Sequence, residues 1–392
     1  MVGRRFDPLL WAILAAGTVA AVAIAKSTGG DPYDMESLRL VRAELERAPL
    51  HLYETFDARG ATRWPYPPAF LPVVWLAGQL QELGVASFDF LVRVPAILAD
   101  AAIAWVVQEF LGRRGAGRGE RLAAAALVCL GPAFLAISGY HGQIDALAIL
   151  PGVLAVYLWE RGAPGRALPA GLLIGVGAAI KTVPGLLVLA LLPSARSRRE
   201  AGLLLAGAAA PVALAFAPFA LKGTLPPADV LTYRGLPGVG GLSLLAQPEL
   251  PFGALGLRSV ALSDLSLQLY DHGTWAIGAG LIAVAFVGAR SRGGAVPMAV
   301  LLWLAVYVLG VNFFFQYALW GLPFFLMAGY VRQVALAELV LLGPTIVFYR
   351  RPWEADAIGY AYVAVMLALL ATAAVAFAVL ARRQLRTAPG GR

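Results

Sequence analysis

Charged residues are scarce in this chain of 392 residues. They make up 14% of the sequence, whereas 60% of the residues are hydrophobic and the mean hydropathy is +0.74. A soluble globular domain is roughly one quarter charged. The composition therefore excludes an ordinary soluble domain and predicts an all-α polytopic membrane protein, whose excess apolar surface faces lipid.

Cysteine is almost absent as well. The single cysteine, Cys129, lies inside an apolar run, which excludes a framework of disulfide bonds. The net charge of +8 is spread over short arginine clusters between the apolar runs, not gathered in one basic patch. This distribution is typical of the cytoplasmic loops of membrane proteins, so we expect contact with membrane lipids and no nucleic-acid partner.

Long apolar runs are what the sequence has in abundance. A membrane-crossing helix needs about 20 residues. Candidate crossings lie near 8–25, 90–111, 122–139, 146–159, 202–221, 273–289, 294–312, 316–331, 334–349 and 357–381. The apolar part of the first run is long for a cleaved signal, so we expect it to be a retained membrane helix.

Two further apolar segments are too short to cross. In residues 66–84 the apolar stretch ends at Gln79 after about ten residues, half of what a crossing needs, which predicts a helix in the membrane interface at 67–83. Residues 167–193 have arginines on both flanks, and both flanks should therefore face the cytoplasm. This predicts a hairpin of two short helices with Lys181 at its apex.

The resulting topology has about twelve transmembrane passes in the cell inner (plasma) membrane, with both termini cytoplasmic. We expect two parts along the chain. Residues 1–200 would form a catalytic transmembrane module with an outer loop at 26–89, and residues 201–392 a second module with an outer loop at 222–272.

Polar segments between the apolar runs share the outer face in this topology. In the first outer loop, apolar residues recur at helical spacing from Met35 to Leu45, which predicts a second interfacial helix at 35–47. The polar candidates on this face are Asp31, Asp34, Glu36, Arg39, Tyr66, His141, Gln143, Asp145, Lys181, Arg234, Gln316 and Tyr317.

Acids, a histidine and cations at one membrane face suit group transfer from a lipid phosphate. A carboxylate takes the proton of an acceptor hydroxyl, and cations hold the departing phosphate. Lys181 is the strongest signal, because a lysine between apolar helices costs on the order of 3 kcal/mol and needs a partner or a cavity. His141 and Asp145 do not complete a coordination shell, so we expect neither a metal ion nor a cofactor.

The order of these motifs resembles the C-class (GT-C fold) integral-membrane glycosyltransferases that use polyprenyl-phosphate sugars. Among them the chain is most similar to the dolichyl-phosphate-glucose-dependent glucosyltransferases and related mannosyltransferases. The matching residues are Asp34, Glu36 and Arg39 for Asp-x-Glu-x-x-Arg; Tyr66, Pro67 and Pro68; Arg93 and Asp100; His141 and Gln143 for His-x-Gln-x-Asn; Lys181; Arg234, Gly235 and Leu236; and Phe315 with Gln316. Asp145 replaces the asparagine of one motif, and Ala318 the histidine of another.

The resemblance implies an inverting transfer of a hexose, mannose or glucose, from a polyprenyl-phosphate donor to a lipid-linked glycan or glycolipid acceptor of the outer leaflet. Asp34 would be the catalytic base, with Asp31 as the alternative. Lys181, Arg234 and His141 would hold the donor phosphate. The substrate-binding residues would be Glu36, Arg39, Tyr66, Gln143, Asp145, Gln316 and Tyr317.

Each of these residues also has a plainer interpretation. Asp34 and Asp145 are suited to cap helices, and Glu36 with Arg39 to form a solvated ion pair. Lys181 is long enough to snorkel to the interface, and the aromatic residues near 311–325 resemble an interfacial belt. A flippase or transporter of lipid-linked sugars is the alternative to an enzyme, although the sequence shows no inverted repeat.

Overall fold

Helices are the only regular secondary structure in the described part of the chain. The computed structural model describes residues 7–58, 64–226, 241–242, 260–291, 294–310, 315–350 and 356–386, and these ranges contain no strand. Helices satisfy every backbone hydrogen bond within the segment, which a lipid environment requires. The predicted all-helical fold is therefore confirmed for the described residues.

Twelve helices lie in the described residues of the first part of the chain. They are α1 (Pro8–Ser27), α2 (Pro32–Arg47), α3 (Leu52–Ala58), α4 (Leu71–Glu82), α5 (Phe88–Leu91), α6 (Val94–Arg113), α7 (Arg118–Leu130), α8 (Pro132–Phe134), α9 (Asp145–Glu160), α10 (Ala167–Ile180), α11 (Leu187–Leu191) and α12 (Arg198–Lys222). A π-helical segment, Leu135–His141, continues α8. Short 3-10 turns lie at Pro49–His51, Pro68–Phe70, Val183–Leu186 and Leu192–Ser194.

The described residues of the second part form five longer elements. They are α13 (Val260–Ser291), α14 (Ala295–Leu309), α15 (Ala318–Met327), α16 (Val331–Arg350) and α17 (Asp356–Arg386), with a 3-10 turn at Phe315–Tyr317. By length and composition, five helical segments of the described chain can cross a membrane: Pro8–Ser27, Phe88–Arg113, Arg118–His141, Arg198–Lys222 and Ala361–Arg386. The count of about twelve passes, their sidedness and the division at residue 200 stay predictions.

Helices are present at both places where interfacial helices were expected. α2 buries Met35, Leu38, Val41 and Leu45 on one face, as their spacing predicts, and packs against α4. α2 begins at Pro32, three residues before the expected start, because the side chain of Asp31 accepts hydrogen bonds from the first free backbone N–H groups. The interpretation of Asp34 as the cap is therefore wrong: Asp31 caps α2, and Asp34 lies inside it.

The predicted hairpin of short helices is also present. α10 ends at Ile180, and Lys181 follows in extended conformation before the turn Val183–Leu186. α10 packs closely on α12, because Gly171 and Gly207 lie where an added Cβ would overlap the facing backbone. Small residues of this kind let membrane helices approach closely. The hairpin thus brings Lys181 back to the start of α9.

Arg93 ties three chain segments together. Its side chain is 1% exposed and donates hydrogen bonds to the backbone carbonyls of Ala25 (2.7 Å), Thr28 (2.8 Å) and Gly139 (3.1 Å). These carbonyls lie at the end of α1 and in the π-helical segment, where the regular helix leaves them without partners. A single guanidinium group thereby joins the chain just before Asp31 to the chain just before His141.

We expect Arg93→Lys to destabilise the fold by about 3 kcal/mol or more. An ammonium group keeps the charge but cannot reach all of these carbonyls, and each buried group left unpaired costs about 1–3 kcal/mol. The measurement is the free energy of unfolding in one detergent. Arg113→Lys, which alters an exposed ion pair with Glu109, is the matched control. Equal stability of both variants would contradict the role of Arg93.

Candidate active site

The carboxylate of Asp34 is the centre of a polar cluster. Asp34 lies in the first turn of α2, where the helix N-terminus favours a negative charge. One of its oxygens, Oδ2, accepts hydrogen bonds from Nε2 of His141 and from the side-chain amide of Gln143. The structure therefore brings Asp34 together with His141, 107 positions later in the sequence, and with Gln143, 109 positions later.

The chain around His141 is shaped to present its ring. The π-helical segment ends at His141, and Gly142 then turns the chain with a φ of 89°. Only glycine suits this position, because that φ is left-handed and an added Cβ would overlap the side chain of Met35. π-helical turns are frequent at functional sites.

Tyr349 fixes the other side of the histidine ring. Its hydroxyl is hydrogen-bonded to Nδ1 of His141, and the two rings meet edge to face at 5.3 Å. Both ring nitrogens of His141 are therefore engaged, Nε2 with Asp34 and Nδ1 with Tyr349, and the imidazole is held in one orientation.

Asp34 is kept in its charged form. Burial raises the pKa of this carboxyl, but the hydrogen bond and the charge of His141, the hydrogen bond from Gln143 and the charge of Lys181 together outweigh burial. The net effect holds the pKa of Asp34 below its ordinary value. The group is therefore a carboxylate, able to accept a proton, throughout the neutral range.

Lys181 and Asp145 form a buried ion pair beside this centre. Nζ of Lys181 lies 2.7 Å from Oδ1 of Asp145, and the two side chains are only 7% and 0% exposed. The same oxygen accepts a hydrogen bond from the indole N–H of Trp320. The expected partner of the lysine is thus Asp145, and its burial argues against snorkelling. Asp145 does not cap α9, because the cap position is Ile144.

Tyr66 connects the two groups. Its hydroxyl donates to the amide oxygen of Gln143 at 3.3 Å, and Nζ of Lys181 lies 5.0 Å from the centre of its ring. The ammonium also faces Trp320 at 5.4 Å, so it sits between two aromatic faces. A cleft of about 50 Å³ opens here, lined by Asp34, Trp64 and Tyr66 among others.

Other predicted site residues lie apart from this cluster or at its edge. Arg39 pairs with Asp89, which raises the pKa of the guanidinium, and Glu36 is exposed. Tyr317 stacks on Trp320 with ring centres 4.0 Å apart, and Gln316 is buried. Arg234 lies outside the described residues.

Sequence reasoning missed two members of the cluster. The sequence places Trp320 among the interfacial aromatics near 311–325, but it is 6% exposed and donates to Asp145. Tyr349 follows His141 by 208 positions, and nothing in its neighbourhood marks it as a partner. It reaches the histidine because α16 packs along α7 and α8.

A metal ion has candidate ligands in the same place. Asp31, Asp34 and His141 each offer one ligand atom, and these atoms lie within 4.8 Å of one another. All three side chains are already engaged: Asp31 caps α2, and His141 bonds to Asp34 and Tyr349. The expectation of a metal-independent site stays a prediction.

Replacing one member of the Lys181–Asp145 pair should destabilise the protein more than expected from replacing both. We expect Lys181→Met to destabilise the protein by about 3–5 kcal/mol, because Asp145 is left as an unpaired buried charge. Lys181→Met combined with Asp145→Asn should be more stable than the sum of the single changes by about 1–3 kcal/mol. Free energies of unfolding for the four proteins measure this coupling. Strict additivity would show that the two charges do not interact.

The comparison with known families agrees with this geometry. No curated protein matches the chain. The sequence model of glycosyltransferase family 87 matches residues 64–314, well over half of the chain. The matched range includes Tyr66, His141, Gln143, Asp145 and Lys181, whereas Asp31 and Asp34 precede it. The expected resemblance to GT-C membrane glycosyltransferases is thus confirmed, and the chain belongs to glycosyltransferase family 87, a GT-C-type membrane family.

Proposed function

We propose that this membrane glycosyltransferase moves a hexose from a polyprenyl-phosphate donor to a lipid-linked glycan or glycolipid acceptor of the outer leaflet. Asp34 is the catalytic base. The single observation that carries this assignment is the orientation of its carboxylate, which His141 and Gln143 hold at the rim of the cleft. The hexose, mannose or glucose, inverts its anomeric configuration.

The transfer step needs one base and no acid. Asp34 takes the proton of the acceptor hydroxyl as the acceptor oxygen bonds to the anomeric carbon. On the opposite side, the bond from that carbon to the phosphate oxygen breaks, and the polyprenyl phosphate leaves as an anion. The lowered pKa of Asp34 keeps it ionised, at the cost of some basicity.

Lys181 supplies positive charge for the leaving phosphate. Its ammonium group has three N–H donors, and Asp145 accepts one of them. The remaining donors and the flanking rings of Tyr66 and Trp320 suit a phosphate oxygen. In this proposal His141 orients Asp34 instead of holding the phosphate, because both ring nitrogens are engaged. Arg234 remains the second proposed phosphate ligand.

A flippase or transporter of lipid-linked sugars is the competing function. It would use buried charges to pass a head group and would need no proton acceptor. The hydrogen bonds to Asp34 favour the enzyme, because His141 and Gln143 hold its carboxylate in one orientation, as a catalytic base requires. A protein hydroxyl or an arabinan-type polymer would be an alternative acceptor for the same chemistry.

The base is tested by exchanging each of the two aspartates. We expect Asp34→Asn to lower transfer from synthetic short-chain polyprenyl-phosphate mannose or glucose by about 10²–10⁴-fold, because the amide cannot accept the proton. Asp31→Asn should retain most of the activity, since asparagine caps a helix as well as aspartate does. Product formation is measured in detergent with EDTA. Transfer that survives Asp34→Asn would contradict the assignment of Asp34 as the catalytic base. Transfer that EDTA abolishes in the wild-type protein would contradict a metal-independent reaction.

The role of His141 is tested by pH. We expect His141→Gln to move the acid limb of kcat/KM to higher pH. The reason is that burial raises the pKa of Asp34, and the lost histidine no longer opposes it. Activity requires the ionised carboxylate and is therefore lost earlier as the pH falls. His51→Gln, at an exposed histidine beside Glu54, is the matched control. An unmoved acid limb in His141→Gln would contradict the assignment.

A further inference from the structure

A second, larger cavity lies between the last four helices. It has a volume of about 370 Å³ and is lined by α14, α15, α16 and α17. Almost all lining side chains are apolar, and Ala337, Ala373 and Ala376 provide the space because larger residues there would fill it. Thr372 and Val379 line it and are exposed, so the cavity is a groove open along α17. We call it the α14–α17 groove.

The groove is too long for a chain that occupies one leaflet. Along α17 its lining runs from Met366 to Arg383, which is about 26 Å at the rise of an α-helix. Half of the hydrocarbon core is only about 15 Å thick. An acyl chain that starts at one surface ends near the midplane, whereas a polyprenyl chain is long enough to continue beyond it.

One end of the groove adjoins the candidate active site. Ala318 and Tyr307 line this end, and the hydroxyl of Tyr307 donates to the carbonyls of Tyr317 (2.9 Å) and Ala318 (3.1 Å). Tyr317 in turn stacks on Trp320, the partner of Asp145. The groove therefore begins at the first turn of α15, within a few residues of the Lys181–Asp145 pair.

Gly241 and Leu242 lie at the same end. Gly241 lines the groove, and the N–H of the next residue, Leu242, bonds to the carbonyl of Gly310 at 3.1 Å. Arg234 precedes Gly241 by seven residues in the sequence. A phosphate-binding candidate, Lys181, thus lies near one end of an apolar groove, as a lipid with a phosphate head and a long apolar chain requires.

We propose that the α14–α17 groove binds the isoprenoid chain of the polyprenyl-phosphate donor and that its length selects long-chain donors. This inference rests on the proposed function, because it assigns a site to the donor of that reaction. The phosphate lies at the Lys181 end, and the chain runs along α17 towards Tyr330, Gln333 and Arg383. The apolar lining binds the chain by van der Waals packing, because a chain that already lies in lipid gains nothing from exclusion of water.

Filling the groove should therefore affect long donors alone. In Ala376→Trp, we expect the KM for an undecaprenyl-phosphate hexose to rise at least about tenfold, because the indole blocks the groove and the part of the chain beyond residue 376 loses its packing contacts. Transfer from a citronellyl-phosphate hexose, whose chain is too short to reach residue 376, should be unchanged. Ala378→Trp is the control, since Ala378 is exposed on the same helix and does not line the groove. A rise with both donors, or with neither, would overturn the proposal.

A second wall of the groove provides variants on another helix. Ala337→Trp on α16 fills the same space, and Ala335→Trp nearby is exposed outside it. If Ala376→Trp fails to fold, this pair decides the outcome by the same comparison of long and short donors. A rise in the KM for the long donor alone in Ala337→Trp, with no rise in Ala335→Trp, supports the groove. Equal behaviour of the two variants rejects it.

A binding measurement separates the groove from the catalytic proposal. Undecaprenyl monophosphate with a diazirine at the end of its chain needs no sugar transfer to react. We expect the wild-type protein to be labelled in α14–α17, with labelling lost in Ala376→Trp and kept in Ala378→Trp. Labelling without any hexose transfer would refute the proposed function alone. Transfer without labelling, or label displaced by phosphatidylglycerol but not by undecaprenyl phosphate, would refute the groove as a polyprenyl site.

Discussion

The buried guanidinium of Arg93 is the contact on which the site depends. It donates hydrogen bonds to carbonyl groups that the end of α1 and the end of the π-helical segment leave unpaired. These two uncharged segments are thereby held side by side. The segment from Thr28 leads directly to Asp31 and α2, and the segment from Gly139 leads to His141. The backbone N–H of Asp31 then bonds to the carbonyl of His141 at 3.2 Å, which closes the junction. Asp34 and His141 lie close together because Arg93 holds the two segments that precede them.

The site contains two buried or partly buried charged groups, Asp34 and Lys181, and each is stabilised by different neighbours. Asp34 is stabilised as an anion by donors from a neighbouring segment, and Lys181 is stabilised as a cation by Asp145 and two aromatic faces. Gln143 bonds to Asp34 and to Tyr66, and the ring of Tyr66 contacts Lys181, so these two side chains link the charged groups. In the proposed reaction this arrangement leaves room for an acceptor at the carboxylate and a phosphate at the ammonium.

Much of this arrangement follows from sequence patterns, and the rest depends on packing between distant helices. The helix with Met35 and Leu45 on its buried face and the hairpin with Lys181 at its apex are visible as periodicity and as flanking charge. The cost of burying a lysine predicts a partner, but not that the partner is Asp145. The sequence places Trp320 among the interfacial aromatics near 311–325 and gives no signal for Tyr349, because both roles arise only from how α15 and α16 pack on the earlier helices. The start of α2 was missed because capping by Asp31 depends on a single side chain.

The most direct test of the account is a cryo-EM structure of the Asp34→Asn variant with an undecaprenyl-phosphate hexose and an acceptor bound. The account predicts the acceptor hydroxyl beside residue 34, a phosphate oxygen within about 3 Å of Nζ of Lys181, and the isoprenoid chain in the α14–α17 groove. A phosphate bound at the Arg383 end, or an acceptor hydroxyl remote from residue 34, would contradict the central claim that Asp34 and Lys181 form one active site.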